Sequence, residues 1–227
     1  MSAMGRRAAG MVAFEGSSAS LGALAVGLGP AGLFLGNDHQ RSPVTLQIFR
    51  SRPTRLVLID QGWVDRILIL RALALGARVV IHTASAAQWT LFGHSVTGRP
   101  DRLLAAPPDV PVDVPASVAE PVLFVTEGQP MELPALGPWQ AQLTVAQQFG
   151  DYVAPWAVEA DLVILRRLPP REITFAAALL RTTAAENSAL QTVPADGLVI
   201  FGPGIRRYLR MVPTATELRI CGTEGVV

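Results

Sequence analysis

The sequence contains no lysine: all 19 of its basic residues are arginine. That absence excludes a Schiff-base or pyridoxal lysine, the strand lysine of protein kinases and the lysine of a phosphate-binding P-loop. Cysteine is nearly as scarce. The single Cys221 can form neither an internal disulfide nor a zinc knuckle, which points to a reducing compartment. His39, His82 and His94 are too few and too dispersed for a metal cluster, so neither a metal nor a cofactor is expected. Charge is thin as well, at 16% of residues against roughly 25% in soluble domains. Either part of the surface is hidden against another protein or a membrane, or the composition reflects a GC-rich genome. The net charge of +1 is too balanced for a general nucleic-acid binder.

What is present is a folded chain of 227 residues, half of them hydrophobic. Residues 16–36 carry no charge, but this stretch holds six Gly, one Pro and three Ser. It reads as two short strands, 24–26 and 33–35, around a turn, and less well as a membrane helix. No signal peptide is visible. With further strands expected at 11–14 and 45–49, residues 1–50 are read as N-terminal β strands packed on a domain of residues 51–227. Four arginines (41, 50, 52 and 55) and no acid lie between Asp38 and Asp60, as on an exposed strand edge.

Beyond residue 54 the pattern alternates. Apolar runs at 55–59, 77–82, 121–126, 141–146 and 160–165 read as buried, mainly parallel strands, the first of them central. Helices are expected from Val64 to a stop at Gly76, over 84–92, and from the Pro169-Pro170 pair to about Leu180. Residues 103–117 read as a Pro-rich connection. Gly202-Pro-Gly204 marks a C-terminal hairpin between 197–201 and 206–212. The fold class is therefore α/β, with a mostly parallel sheet.

In such sheets ligands sit beyond the carboxyl ends of the strands. A P-loop after the first core strand would read G-x-x-x-x-G-K-[ST]. The eight residues here are Asp60-Gln-Gly-Trp-Val-Asp-Arg-Ile67. Asp60 and Asp65 stand at the glycine positions, Arg66 at the lysine and Ile67 at the hydroxyl, with Gly62 inside the loop. Two carboxylates repel phosphate, so nucleotide binding is not supported.

Even so, the order of motifs resembles that of FtsK-type motor ATPases. The stretch Leu33-Phe-Leu-Gly-Asn-Asp, Pro43-Val, Arg55-Leu-Val-Leu-Ile and Leu70-Arg71-Ala-Leu looks like the entry to those domains. Val122-Leu-Phe-Val-Thr-Glu127 lies where a Walker B strand would end, with Glu127 at the catalytic acid position and Thr126 in place of the magnesium-directed Asp. Leu143-Thr-Val-Ala-Gln147 is similar to their "ATQ" strand. The resemblance covers about residues 33–217, and its closest flavour is the ATPase of actinobacterial type VII (ESX) secretion systems. It implies a P-loop NTPase-like (RecA/FtsK-like) sheet, here in a degenerate form that lacks the P-loop lysine and hydroxyl and the Walker B Asp.

The functional reading that follows is a non-catalytic pseudo-ATPase. It would act as a binding or scaffold component of a secretion or DNA-translocation machine, cytoplasmic, and associated with an inner-membrane complex. The expected partner is a protein, either a secretion-system ATPase or a second copy of the chain, and not nucleic acid. Two alternatives stand beside it: an active nucleotide hydrolase using Arg66 and Glu127, and a small-molecule enzyme of doubly wound fold. For the partner surface the reading nominates Phe175 on the 170–181 helix with Phe201 and Tyr208 on the hairpin, unless the N-terminal strands fold back over it. Arg166, Arg167 and Arg171 read as solvent-facing strand-end residues, or as an arginine finger for a neighbouring subunit.

Overall fold

In the computed structural model, which describes residues 32–60, 63–128 and 135–222, ten strands form one open sheet. They are β1 (Leu33–Asp38), β2 (Pro43–Leu46), β3 (Thr54–Ile59), β4 (Arg78–His82), β5 (Leu103–Ala106), β6 (Val122–Glu127), β7 (Gln140–Ala146), β8 (Leu162–Leu165), β9 (Gly197–Gly202) and β10 (Ile205–Met211). Their spatial order is β2-β1-β10-β9-β8-β3-β7-β6-β4-β5. The run from β8 to β5 is parallel throughout, while β9, β10, β1 and β2 pair antiparallel. Helices α1 (Val64–Ala74), α2 (Ala86–Thr97) and α6 (Ala215–Cys221) share one core with the sheet. On its other side lie α3 (Ala154–Glu159), α4 (Pro170–Leu180) and α5 (Ala184–Thr192).

Strand β3 shows why the parallel strands read as unbroken apolar runs. Leu56 and Leu58 enter the core beneath α1, and Val57 and Ile59 enter the opposite core with α4 and α5. Helix α1 is apolar on almost every side because it is covered by the sheet and by α6, and Val64, Ile67 and Ile69 are fully buried. It ends where Gly76 takes φ +88°. There Gly76 N–H bonds Leu73 O and Ala77 N–H bonds Ala72 O, the paired bonds of a Schellman stop.

One buried polar side chain joins the two ends of the described chain to this helix. Arg71 pairs with both oxygens of Glu217 on α6, at 2.6 and 3.0 Å. Its remaining donors reach the carbonyls of Phe34 and Leu35 on β1 and of Val212 after β10. Burial pushes the Glu217 carboxyl up, but the hydrogen bonds from Arg71 and from Thr214 N–H outweigh this and hold it below the ordinary glutamate value.

The five core strands and the hairpin lie where the sequence places them, but several expectations need correction. β3 is not central among the five: it has β8 on one side and β7, β6 and β4 on the other. The Pro-rich connection begins with a strand, β5, since proline starts only after Ala106. Helix α2 continues past 92 to a left-handed stop at Gly98, φ +63°. The 45–49 strand is instead β2, ending at Leu46. β1 pairs with β2 and β10, and the strands expected at 11–14 and 24–26 lie outside the described residues. No helix among the described residues is long and apolar enough to cross a membrane.

Candidate functional site

Because β3, β4, β6, β7 and β8 run parallel, their carboxyl ends meet on one rim of the sheet. Asp60 follows β3, with its N–H on Ala146 O at 2.9 Å. Gln147 follows β7, Arg166 follows β8, Thr83 follows β4 and Glu127 ends β6. Between this rim and α2 lies a cleft of about 460 Å³ lined by Asp60, Asp65, Arg66, Trp89, Glu127 and Gln147.

The start of α1 is saturated from within. One oxygen of Asp60, Oδ2, accepts the N–H groups of Trp63 (3.1 Å), Val64 (2.8 Å) and Asp65 (3.4 Å). The other oxygen, Oδ1, accepts Arg166 Nη1 at 2.9 Å. Arg66 N–H goes to Asp65 Oδ1 at 2.7 Å, and Ile67 N–H goes to Trp63 O at 3.2 Å. Each of these donors at the helix start therefore has an acceptor inside the chain. The Asp60 side chain is 0% exposed. Arg166 also lies 5.7 Å over the Trp63 ring and donates to Ala195 O.

The cleft is rich in carboxyl groups. Burial, reinforced by neighbouring Asp60 and, more weakly, by Glu127, pushes the Asp65 carboxyl up to about 7, against a lowering by its bond from Arg66 N–H. Glu127 Oε2 accepts the hydroxyl of Thr83 at 2.7 Å and the indole N–H of Trp89 at 2.9 Å. Arg66, the one arginine lining the cleft, sends Nη1 to the carbonyl of Cys221 at 3.3 Å. Among the described residues no group of His, Cys, Asp and Glu could hold a metal ion.

No protein-family model matches the sequence, and no curated protein matches it by sequence. Solved structures do match its fold. VirB4 of Thermoanaerobacter pseudethanolicus aligns with a TM-score of 0.57 at 9% identity, covering 83% of this chain and 98% of that one. The pCW3 conjugation coupling protein TcpA gives 0.55 at 6% identity, over 82% of this chain and 66% of its own. EccC of Thermomonospora curvata (ATPases 2 and 3) gives 0.52 at 12% identity, over 84% and 42%. The chain has an FtsK-type P-loop ATPase fold.

In that fold Asp60, Asp65, Arg66, Glu127 and Gln147, all expected near one another, line one cleft. The fold does not bring Ile67 or Thr126 there. Ile67 is 0% exposed on the core side of α1, and Thr126 is 1% exposed, its Oγ1 without a partner among the described residues. Gly62 lies outside the described residues. Arg166 is not a free, solvent-facing strand-end cation: it pairs with Asp60. Its signal was weak, since 106 residues separate the two.

The FtsK-type fold also alters the partner surface. Phe201 is 3% exposed and Val199 is fully buried, both in the core shared with α4 and α5, so Phe201 is not a surface residue. Phe175 is half-buried, edge-on to Phe149 at 5.5 Å. Tyr208 does face solvent, at 38% exposure. The N-terminal β1 pairs with the outer edge of the hairpin, the fold-back weighed for this region.

Proposed function

We propose that the chain is a non-catalytic pseudo-ATPase of FtsK type. It acts as a binding or scaffold component of a secretion or DNA-translocation machine, with type VII secretion the favoured setting. The observation that carries this reading is the acid-rich lining of the cleft. Where a nucleotide would put its phosphates, the lining offers Asp60, Asp65 and Glu127, and its one arginine, Arg66, is bonded to Cys221 O. An ATP–magnesium complex needs backbone donors, a cation at the terminal phosphates and a metal-directed acid. The α1 donors are taken, and a buried threonine stands at the metal-directed position.

The likeness to VirB4, TcpA and EccC supports work within a multi-protein machine, so the partner is a protein, a motor ATPase or a second copy of the chain, at the cytoplasmic side of a membrane complex. The test is nucleotide titration of the wild type. A ligand at a thousand times its Kd stabilises by about 4 kcal/mol, which raises Tm by roughly 8–15 °C in a domain of this size. No such rise and no phosphate release are expected with ATP and magnesium. A rise or turnover that disappears in Arg66→Ala or Glu127→Gln overturns the reading. The scaffold role is checked by whether a co-expressed secretion-type motor ATPase co-purifies with the chain, expected to be the same with and without nucleotide.

A further inference from the structure

We propose that the cleft between the strand rim and α2 binds an organic cation, a guanidinium group held directly by Asp65 and Glu127 with no nucleotide between. The proposal deepens the non-catalytic reading and rests on it.

The acceptors that remain in the lining carry it. Asp60 is fully engaged: Oδ2 accepts three backbone N–H groups and Oδ1 accepts Arg166 Nη1. Asp65 is not. It lines the cleft at only 5% exposure, and among the described residues its carboxyl accepts Arg66 N–H on Oδ1 alone, so Oδ2 has no partner. Glu127 takes Thr83 and Trp89 on Oε2, which leaves Oε1 for a ligand. The arginine of the lining, Arg66, turns to Cys221 O on α6. A carboxylate withdrawn from water calls for a hydrogen-bonded counter-ion. A proton stands in for one here, since burial, then Asp60 and Glu127, push the Asp65 carboxyl up to about 7.

The shape of the site selects the cation. No group of acids among the described residues could hold a metal ion, so a compact dication does not match. A guanidinium spreads its donors over a planar fork and reaches two separate carboxylates. Its faces suit aromatic rings, and the cleft supplies Trp89 and Phe92, edge to face at 5.3 Å. The volume of about 460 Å³ also admits the stem that carries the group, whether a free small molecule or an arginine of a polypeptide.

Because the cation meets an ionised carboxylate, its binding expels the proton of Asp65. The other charged or titratable groups around that carboxyl are Asp60, Glu127 and Arg66, with Cys221 on α6. Affinity should therefore rise with pH through about 7, and be about tenfold tighter at pH 8 than at pH 6.

Calorimetric titration of the wild type tests this with ethylguanidine, an acetylated Gly-Arg-Gly amide, the same peptide with citrulline in place of arginine, and magnesium chloride. Saturable binding of a guanidinium probe with that pH profile is expected, and the uncharged citrulline peptide should bind at least about tenfold more weakly. The tighter of the two guanidinium probes shows whether the source is free or polypeptide. Asp65→Asn should weaken binding by about tenfold or more and abolish the pH dependence, whereas Glu127→Gln should weaken it and keep the dependence. If a variant does not fold, the wild-type pH profile and the citrulline control still decide. No saturation, equal binding of the citrulline peptide, or an affinity indifferent to pH overturns the proposal, as does magnesium binding that the two variants remove. Turnover of ATP by the wild type would instead sink the non-catalytic reading, so the two failures are distinguishable.

Discussion

With its carboxyl pushed up to about 7 by burial, by Asp60 and by Glu127, Asp65 keeps a proton in the native state that the unfolded chain releases near 3.8. Between those values the folded form binds more protons, so this group's contribution to stability falls as pH rises through the window and stays low above it. Asp65→Asn keeps an acceptor for Arg66 N–H and removes the ionisation. It should make the protein more stable at pH 8, by on the order of 2 kcal/mol, and leave it nearly unchanged at pH 4. Urea midpoints at the two pH values measure the difference, and equal midpoint shifts at both would refute the assignment. Glu217 has the opposite sign. Its lowered pKa means that its ion pair stabilises above the ordinary glutamate value and is lost as pH falls through the folded value. Removing the partner by Arg71→Met leaves a buried carboxylate and three carbonyls unmatched, at a cost of about 3–5 kcal/mol. A Tm lowered by roughly 10 °C is expected from thermal melts.

At the scale of elements, two glycines separate close approach from backbone freedom. A Cβ on Gly36 of β1 would lie 2.0 Å from the backbone oxygen of Arg210 on β10, where nothing flexible can yield. Gly36→Ala should therefore cost roughly 3 kcal/mol by forcing two strands apart, read from its urea midpoint. Gly76 has open space around a Cβ but a φ of +88°, so Gly76→Ala should cost only about 1 kcal/mol. The strands of the core were legible in the sequence because burial on both faces leaves a run such as Leu56-Val-Leu-Ile59 with no polar interruption. The short helices were less so. α3 has six residues and little periodicity, but α5 and α6 each open on a capping box, Thr183 with Glu186 and Thr214 with Glu217, that the sequence displays. The cleft was legible in its own residues, since Asp60, Glu127 and Gln147 sit at predictable strand ends and Asp65 in the first turn of α1. What could not be read was the pairing of Asp60 with Arg166, which depends on β8 lying beside β3. The burial of Phe201 escapes the sequence for a related reason: a hairpin looks thin in sequence, but β9 is covered on one side by β8 and on a face by the core of α4 and α5.

Across the whole molecule, the sheet joins pieces from opposite ends of the chain. β1 has β2 beside it from the start, but its other edge meets β10, with Gly36 opposite Met211. Arg71 likewise finds its acceptors on β1 and beyond β10. During synthesis at about 5–20 residues per second, β1 leaves the ribosome on the order of 10–35 seconds before its partner strand exists. For that interval the β1–β2 ribbon is an open edge, and α1 carries an arginine whose carboxylate has not yet been made. The nascent chain thus assembles its parallel half first and seals its antiparallel flank last, when the final helix arrives to bring Glu217 to Arg71.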